Sequence, residues 1–323
     1  MKSAVLSRKF HSRTAALVMI LIAAAYTTLS DYEATAPDMG EPWLLSRLFE
    51  GIGSSWTVVI NLIFNAVIIV LMALINRRYN VLRAMTWLPA GLFALMQAAI
   101  PSLMLTMDSG AIVCMTVTGC LMMLFGSYGN QESVYRVFLT FALLALGTAF
   151  RYCLVFFIPV LWIICIQMRV MNLRVFLSSL MGLLTTWIIL LGFGIVDIES
   201  LRLPQMTSIF AALNLSHAYY LLTVVGATSA LLVLSVLANI MKTIAYNARA
   251  RAYNGALLIT SLATLLCMLF DYDKLSSYLP LLNLCAAYQT THYFVNHRYE
   301  RQYIAILAVA MTYITLYLWR LSL

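Results

Sequence analysis

Charge is scarce in this chain. Asp, Glu, Lys and Arg make up 10% of its 323 residues, where a soluble domain carries about 25%. So few charges cannot cover a water-facing surface, which excludes an ordinary soluble globular domain. Paired cysteines are missing too. Cys114, Cys120, Cys153, Cys165, Cys267 and Cys285 all fall inside apolar runs, and none has a CxxC partner or zinc-ligand spacing. They read as small apolar packing residues, and no disulfide framework is implied. P-loop, GxSxG, HExxH and GxGxxG stretches are absent, so the chain is not a self-contained ATPase. It also lacks useful lengths of period-2 alternation, which excludes a transmembrane barrel.

What is present is apolar. Hydrophobic residues make up 63% of the chain and mean hydropathy is +0.91. Apolar runs of about 17–25 residues read as membrane-spanning helices, because a bilayer requires every backbone polar group to be paired within its own segment. The runs predict spans over 14–30, 56–76, 84–107, 110–125, 137–150, 152–166, 175–196, 218–241, 254–270, 276–295 and 302–319. Pro89 and Pro101 are expected to kink the third. Residues 137–166 are continuously apolar except for Arg151. At about 1.5 Å per residue, one helix of that length overshoots a bilayer core of about 30 Å, so two short spans are expected, turning at Phe150, Arg151 and Tyr152. The expected fold is an all-α polytopic bundle of about 11 spans, forming one integral membrane domain over 1–323.

Charge sign sorts the connectors. Of the 20 Lys and Arg residues, Arg47, Arg151, Arg202, Lys274 and Arg320 fall in one alternate set of connectors, and all the others fall in the other set. Of the 12 Asp and Glu residues, only Glu132 and Glu300 share the cation-rich set. The positive-inside rule then puts the N-terminus in the cytoplasm and the C-terminus outside. The first apolar run reads as a retained helix, since many spans follow it, rather than as a cleaved signal peptide. The net charge of +8 is dispersed over helix ends. It therefore speaks for membrane topology and against nucleic acid. Residues 31–55 and 197–217 are the long outer loops, and PWLLSRLFEGIG within the first is patterned as a helix lying in the interface. Tyr and Trp residues near span ends, notably Trp43, Trp56, Tyr272, Tyr278, Tyr293 and Trp319, read as interface anchors.

The outer connectors collect Asp31, Glu33, Asp108, Asp197, Glu199, Asp271 and Asp273, with Arg151, Arg202 and Lys274 at the same depth. A carboxylate there can serve as a general base toward a hydroxyl or bind a divalent cation. An arginine there suits a lipid phosphate through paired hydrogen bonds. Asp31 and Glu33 are the sharper pair, since they follow the first span directly. Arg151 is the most pointed single residue, either as a carrier-phosphate ligand beside Arg202 or as a topological anchor. Asp108 is the weak candidate for a metal or base-orienting role. Asn61, Asn65, Gln97 and His292 lie within spans. Such groups are usually interhelical hydrogen-bonding partners, and a substrate path is the alternative.

A cytoplasmic N-terminus, one span, an acidic outer loop with an interfacial helix and many short spans after it resemble the GT-C glycosyltransferase superfamily. The segment LLALGTAFRYCLVFFIPVLWIICIQMR is similar to the paired short helices of such enzymes. The resemblance implies a transferase using a polyprenyl-phosphate-linked sugar at the outer face of a bacterial inner membrane. It places Asp31 or Glu33 as catalytic base. The segment NRRYNVLRAMTWLPAGLFALMQAAIPS, with GTAFRY after it, also resembles polytopic inner-membrane proteins of Bacteroidota that carry no established activity. The alternative expectation is a non-enzymatic transporter or an assembly scaffold of the cell envelope. The sequence implies membrane lipid as a partner, names no certain cofactor beyond a possible divalent cation, and leaves the oligomeric state open.

Overall fold

The computed structural model describes residues 12–29, 54–105, 109–130, 132–194, 219–296 and 302–321. Among them every regular element is helical. In chain order these are α1 (Arg13–Leu29), α2 (Ser54–Tyr79), α3 (Leu88–Ala98), α4 (Ser102–Leu105), α5 (Ser109–Phe125) and α6 (Val134–Phe150). A 3-10 turn (Tyr152–Phe156) leads to α7 (Phe157–Gln167), α8 (Leu173–Gly192), α9 (Tyr219–Ile244) and α10 (Ala248–Phe270). A second 3-10 turn (Tyr272–Lys274) precedes α11 (Leu275–Asn296) and α12 (Gln302–Leu321).

Five of these helices (α2, α8, α9, α10 and α12) are long and apolar enough to cross a membrane. The outward faces of the described helices are aliphatic: Leu21, Ile188 and Leu234 are each 66% exposed. Amides lie on inward faces of the bundle: Asn61, Gln97 and Asn283 are each 0% exposed. Water would reward the reverse arrangement. This inside-out distribution is that of a helical integral membrane protein.

α11 is the hub. Eighteen of its 22 residues are buried, and it packs against α3, α5, α9 and α10. A helix that carries Asn283, Gln289, Thr290, Thr291 and His292 cannot face lipid cheaply, and surrounding it with other helices removes that cost. Pro280 leaves the Ser276 carbonyl without its helical donor. Gly110 of α5 packs there, where a Cβ would lie 2.7 Å from both the Ser276 oxygen and the Pro280 ring.

α3 differs from the span expected over 84–107. It is eleven residues long and buried throughout, about 16 Å at helical rise, so it reaches only about halfway across a bilayer core. Two local causes shorten it. Asn80 ends α2 at φ 51°, a left-handed position that Asn tolerates. Asn76 then ties the following turn down, accepting from Leu82 N at 3.2 Å and donating to the Ala84 oxygen at 3.1 Å. Pro89 sits in the first turn of α3 and starts the helix rather than kinking it. Pro101 keeps the chain from continuing as one helix into α4.

The helix ends gather at two poles. At one pole Gly129 N donates to the Met168 oxygen, Lys242 Nζ donates to the Asn296 oxygen, and Arg83 covers the Tyr246 ring. Arg13 covers the Trp87 ring there as well. At the other pole Tyr317 OH donates to the Tyr26 oxygen at 2.7 Å, Tyr220 OH donates to the Ala99 oxygen, and Tyr152 meets Asp271. The first pole holds Arg13, Arg77, Arg78, Arg83, Arg136, Arg169, Arg174, Lys242, Arg249 and Arg251. Arg151 and Lys274 are the described cationic side chains of the second. Alternate connectors, sorted by charge in the sequence, are thus sorted in space.

Candidate functional site

At the cation-poor pole, two helix–turn–helix connectors face one another. α6 ends at Phe150, Arg151 takes extended backbone (φ −146°, ψ 117°), and the 3-10 turn after it carries Tyr152 and Cys153 inward, where both are buried. On the facing connector, α10 ends with Asp271 N bonded to the Cys267 oxygen at 2.8 Å, and the turn Tyr272–Lys274 leads into α11. Asp271 is 1% exposed and Arg151 5%.

Asp271 Oδ2 accepts from Tyr152 OH at 2.7 Å and from Tyr278 OH at 3.2 Å. Lys274 Nζ donates to Tyr152 OH at 2.6 Å and lies 4.0 Å from the centre of that ring. A carboxylate buried this deeply needs paired charges and hydrogen bonds to persist. Oδ2 has two phenol hydrogen bonds, whereas Oδ1 is buried without a hydrogen-bond partner. Among the described side chains, the cluster holds two cations and one anion. The arrangement can orient a phenol between an ammonium and a carboxylate, and it leaves one buried carboxylate oxygen as a spare acceptor.

Of the residues singled out from the sequence, Arg151 stands in this cluster. Asp31, Glu33, Asp108 and Arg202 lie outside the described residues. Asp271 and Lys274 were legible as outer-connector charges but carried no more weight than their neighbours. Tyr278 had the position of an interface anchor, yet it is fully buried and serves the carboxylate. Tyr152 was visible only as part of a turn.

Asn61, Asn65 and Gln97 form one chain of amides with Asn283. Gln97 Nε2 donates to Asn65 Oδ1 at 3.1 Å, and Asn283 Nδ2 donates to Gln97 Oε1 at 2.9 Å. Asn61 Nδ2 donates to the Leu103 oxygen at 2.9 Å, and Asn65 Nδ2 to the Asn61 oxygen at 3.0 Å. The chain fastens α2, α3 and α4 to the hub. His292 belongs elsewhere. It lies nine residues from Asn283, about 14 Å along α11, and its ring centre is 5.5 Å from that of Tyr246. Around it Gln289 Nε2 donates to Asn254 Oδ1 at 3.1 Å and Asn239 Nδ2 donates to the Gln289 oxygen at 3.0 Å. Tyr246, in the connector after α9, donates to Asn296 Oδ1. Burial raises its pKa above the usual phenol value, while the Asn296 hydrogen bond and the Arg83 charge oppose that rise.

The two amide groups work as interhelical fasteners. Gln97→Leu strands Asn65 Oδ1 and Asn283 Nδ2, and should lower the unfolding free energy in detergent or bicelles by about 1–2 kcal/mol. No loss in the denaturation midpoint would show that the amide chain holds nothing together.

No protein-family model matches the chain, and neither curated proteins nor solved structures yield a match.

Proposed function

We propose that the protein is a GT-C-like transferase of a bacterial inner membrane, with its reaction centre at the pole that holds Arg151 and Asp271. It moves a sugar or similar group from a polyprenyl-phosphate carrier to a hydroxyl acceptor in envelope glycan assembly. The observation that carries this reading is the buried Asp271 carboxylate, with one oxygen held by two phenols and the other bare, beside Lys274 and Arg151. Two cations in a region of low dielectric suit a phosphate. The bare oxygen suits the acceptor hydroxyl, which Asp31 or Glu33 of the first outer loop deprotonates. Arg151 and Arg202 hold the carrier phosphate, and Asp108 binds a divalent ion or orients the base.

The orientation belongs to the same reading: about 11 spans, N-terminus in the cytoplasm, C-terminus outside. The gathering of cations at one pole supports it. Reporter fusions after Arg78 and Arg249 should report cytoplasm, and a fusion at Asp197 should report the opposite side. Identical sidedness for all three would remove the basis for an outward-facing reaction centre.

The direct test is lipid analysis of purified wild type, Arg151→Gln and the Asp31→Asn/Glu33→Gln double variant. Wild type and the double variant should carry a polyprenyl-phosphate lipid, and Arg151→Gln should have lost it. The double variant should fail to release sugar from an added carrier. Ordinary phospholipid in equal amounts in all three would end the transferase reading.

A further inference from the structure

A second site lies at the cation-rich pole, remote from the Asp271 cluster. Between α1, α2 and the segment before α3 is a cavity of about 490 Å³, within the usual range of small-molecule sites. Arg13 and Arg77 line it together with Val70, Leu74, Met85 and Trp87, and no acidic residue is among the described residues that line it. Arg13 opens α1 and Arg77 lies in the last turn of α2, so both cations stand at the level where helices leave the apolar layer. Val70 is seven residues deeper, about 10 Å along the helix. The cavity therefore passes from a cationic mouth into an aliphatic wall over the distance that separates a lipid phosphate from its first methylenes.

The walls are held in place. Asn76 binds the Ala84 and Thr86 oxygens, fixing the segment that carries Met85 and Trp87. Arg13 lies 5.6 Å from the centre of the Trp87 ring, which orients its guanidinium. α1 is drawn to α3 and away from α2 at this level: a Cβ on Gly91 would lie 2.9 Å from Met19 Sδ and 3.2 Å from the Ala16 Cα. Val70 and Leu74 remain 55% and 39% exposed, so the cavity has aliphatic surface left for a chain to cover.

We propose that this cavity binds the phosphate head group of one anionic phospholipid, with the head between Arg13 and Arg77 and an acyl chain running along Val70 and Leu74. Two guanidiniums, with no acid among the described lining residues, supply the charge complementarity. The aliphatic wall selects a lipid phosphate over a free one.

Native mass spectrometry of the full chain, released from micelles with equal phosphatidylglycerol and phosphatidylcholine, tests the site. Wild type should retain phosphatidylglycerol over phosphatidylcholine by about tenfold. Arg13→Ala/Arg77→Ala should fall to parity, and Arg13→Lys/Arg77→Lys should keep most of the preference. Arg174→Ala/Arg251→Ala, which removes two exposed cations from the same pole but outside the cavity, should behave as wild type. Unchanged helical circular dichroism is required of each variant, and the Lys pair supplies the test should the Ala pair not fold. Excess inorganic phosphate should leave the bound lipid in place. Equal preference in wild type and the Arg13/Arg77 alanine variant, or an equal loss in the Arg174/Arg251 control, would overturn the site. Displacement of the lipid by inorganic phosphate would overturn the lipid as its ligand.

Discussion

Replacing Asp271 by alanine should destabilise the folded bundle by about 3–5 kcal/mol, the cost of taking one partner from a buried charge group. Lys274 and Arg151 would keep their charges in low dielectric, where Asp271 is the one described anionic side chain of the cluster. Tyr152 and Tyr278 would both lose the acceptor they share, and each stranded phenol adds to the loss. Asp271→Asn separates stability from function. The amide oxygen still accepts from a phenol, so much of the packing survives, but the negative charge is gone. A phosphate then meets two cations without the opposing anion, and carrier affinity should hold or rise. Turnover should fall by about a hundredfold, because the acceptor hydroxyl is no longer positioned by a carboxylate oxygen. A purely structural Asp271 predicts a different pair of results: lower stability, with turnover per folded molecule unchanged. Thermal midpoints, carrier binding and turnover on the same preparations distinguish the two. Tyr278→Phe, which removes one donor and leaves Tyr152 in place, should cost only about 1 kcal/mol.

The architecture was legible where solvent decides it and illegible where packing does. Scarce charge, long apolar runs and the alternating sign of the connectors are consequences of a bilayer, and each can be counted along the chain. The break at Arg151 was readable because a charged residue interrupts an apolar run too long for one span. The shortening of α3 was not, because it depends on Asn80 and Asn76, and Asn76 looks like an ordinary polar residue at the end of a span. Its bonds to Leu82, Ala84 and Thr86 tie down the turn that precedes the helix. α11 did carry a readable signal. Asn283, Gln289 and His292, with tyrosines on several faces, leave no clean lipid-facing side, so such a helix has to be central.

The site followed the same division. Its charges were visible as members of the outer set, but burial, which ranks Asp271 above its neighbours, comes from the apposition of two connectors 119 residues apart in the Tyr152–Asp271 bond. The tyrosines were the hardest part. A tyrosine near a span end can face the lipid boundary or the bundle, and the choice is made by the turn that carries it. At Tyr152 the extended Arg151 and the 3-10 turn aim the phenol inward. At Tyr278 the first turn of the central helix does so.

That apposition depends on where α6 ends, and α6 is placed chiefly by α8. The α8 face that meets it presents Ser178, Gly182 and Thr186. Ser178 Oγ donates to the Val134 oxygen at 2.9 Å, and Thr186 Oγ1 reaches the Ala142 oxygen at 3.4 Å. Gly182 lies between them, so close that a Cβ would stand 2.5 Å from the Phe138 oxygen and 3.2 Å from Ala142 N. Both are backbone atoms, which cannot swing aside as a side chain can. Gly182→Ala should therefore cost about 1–3 kcal/mol, the usual range for overpacking. Gly182→Leu should cost more than that and leave little folded protein in the membrane fraction. Gly192, at the end of the same helix, has nothing within 4 Å of its Cβ position. Gly192→Ala should be neutral or stabilising by up to about 1 kcal/mol, since alanine loses less backbone freedom on folding. Unfolding midpoints in one detergent give the comparison, and equal effects at the two glycines would refute close α6–α8 packing. The folded fraction of Gly182→Ala is also informative about the site. Forcing α6 from α8 shifts Phe150 and the connector after it, so Arg151 moves relative to Asp271 although neither residue has changed. Loss of carrier binding per folded molecule in Gly182→Ala, with binding intact in Gly192→Ala, would show that a helix contact of small residues sets the geometry of the charged pole.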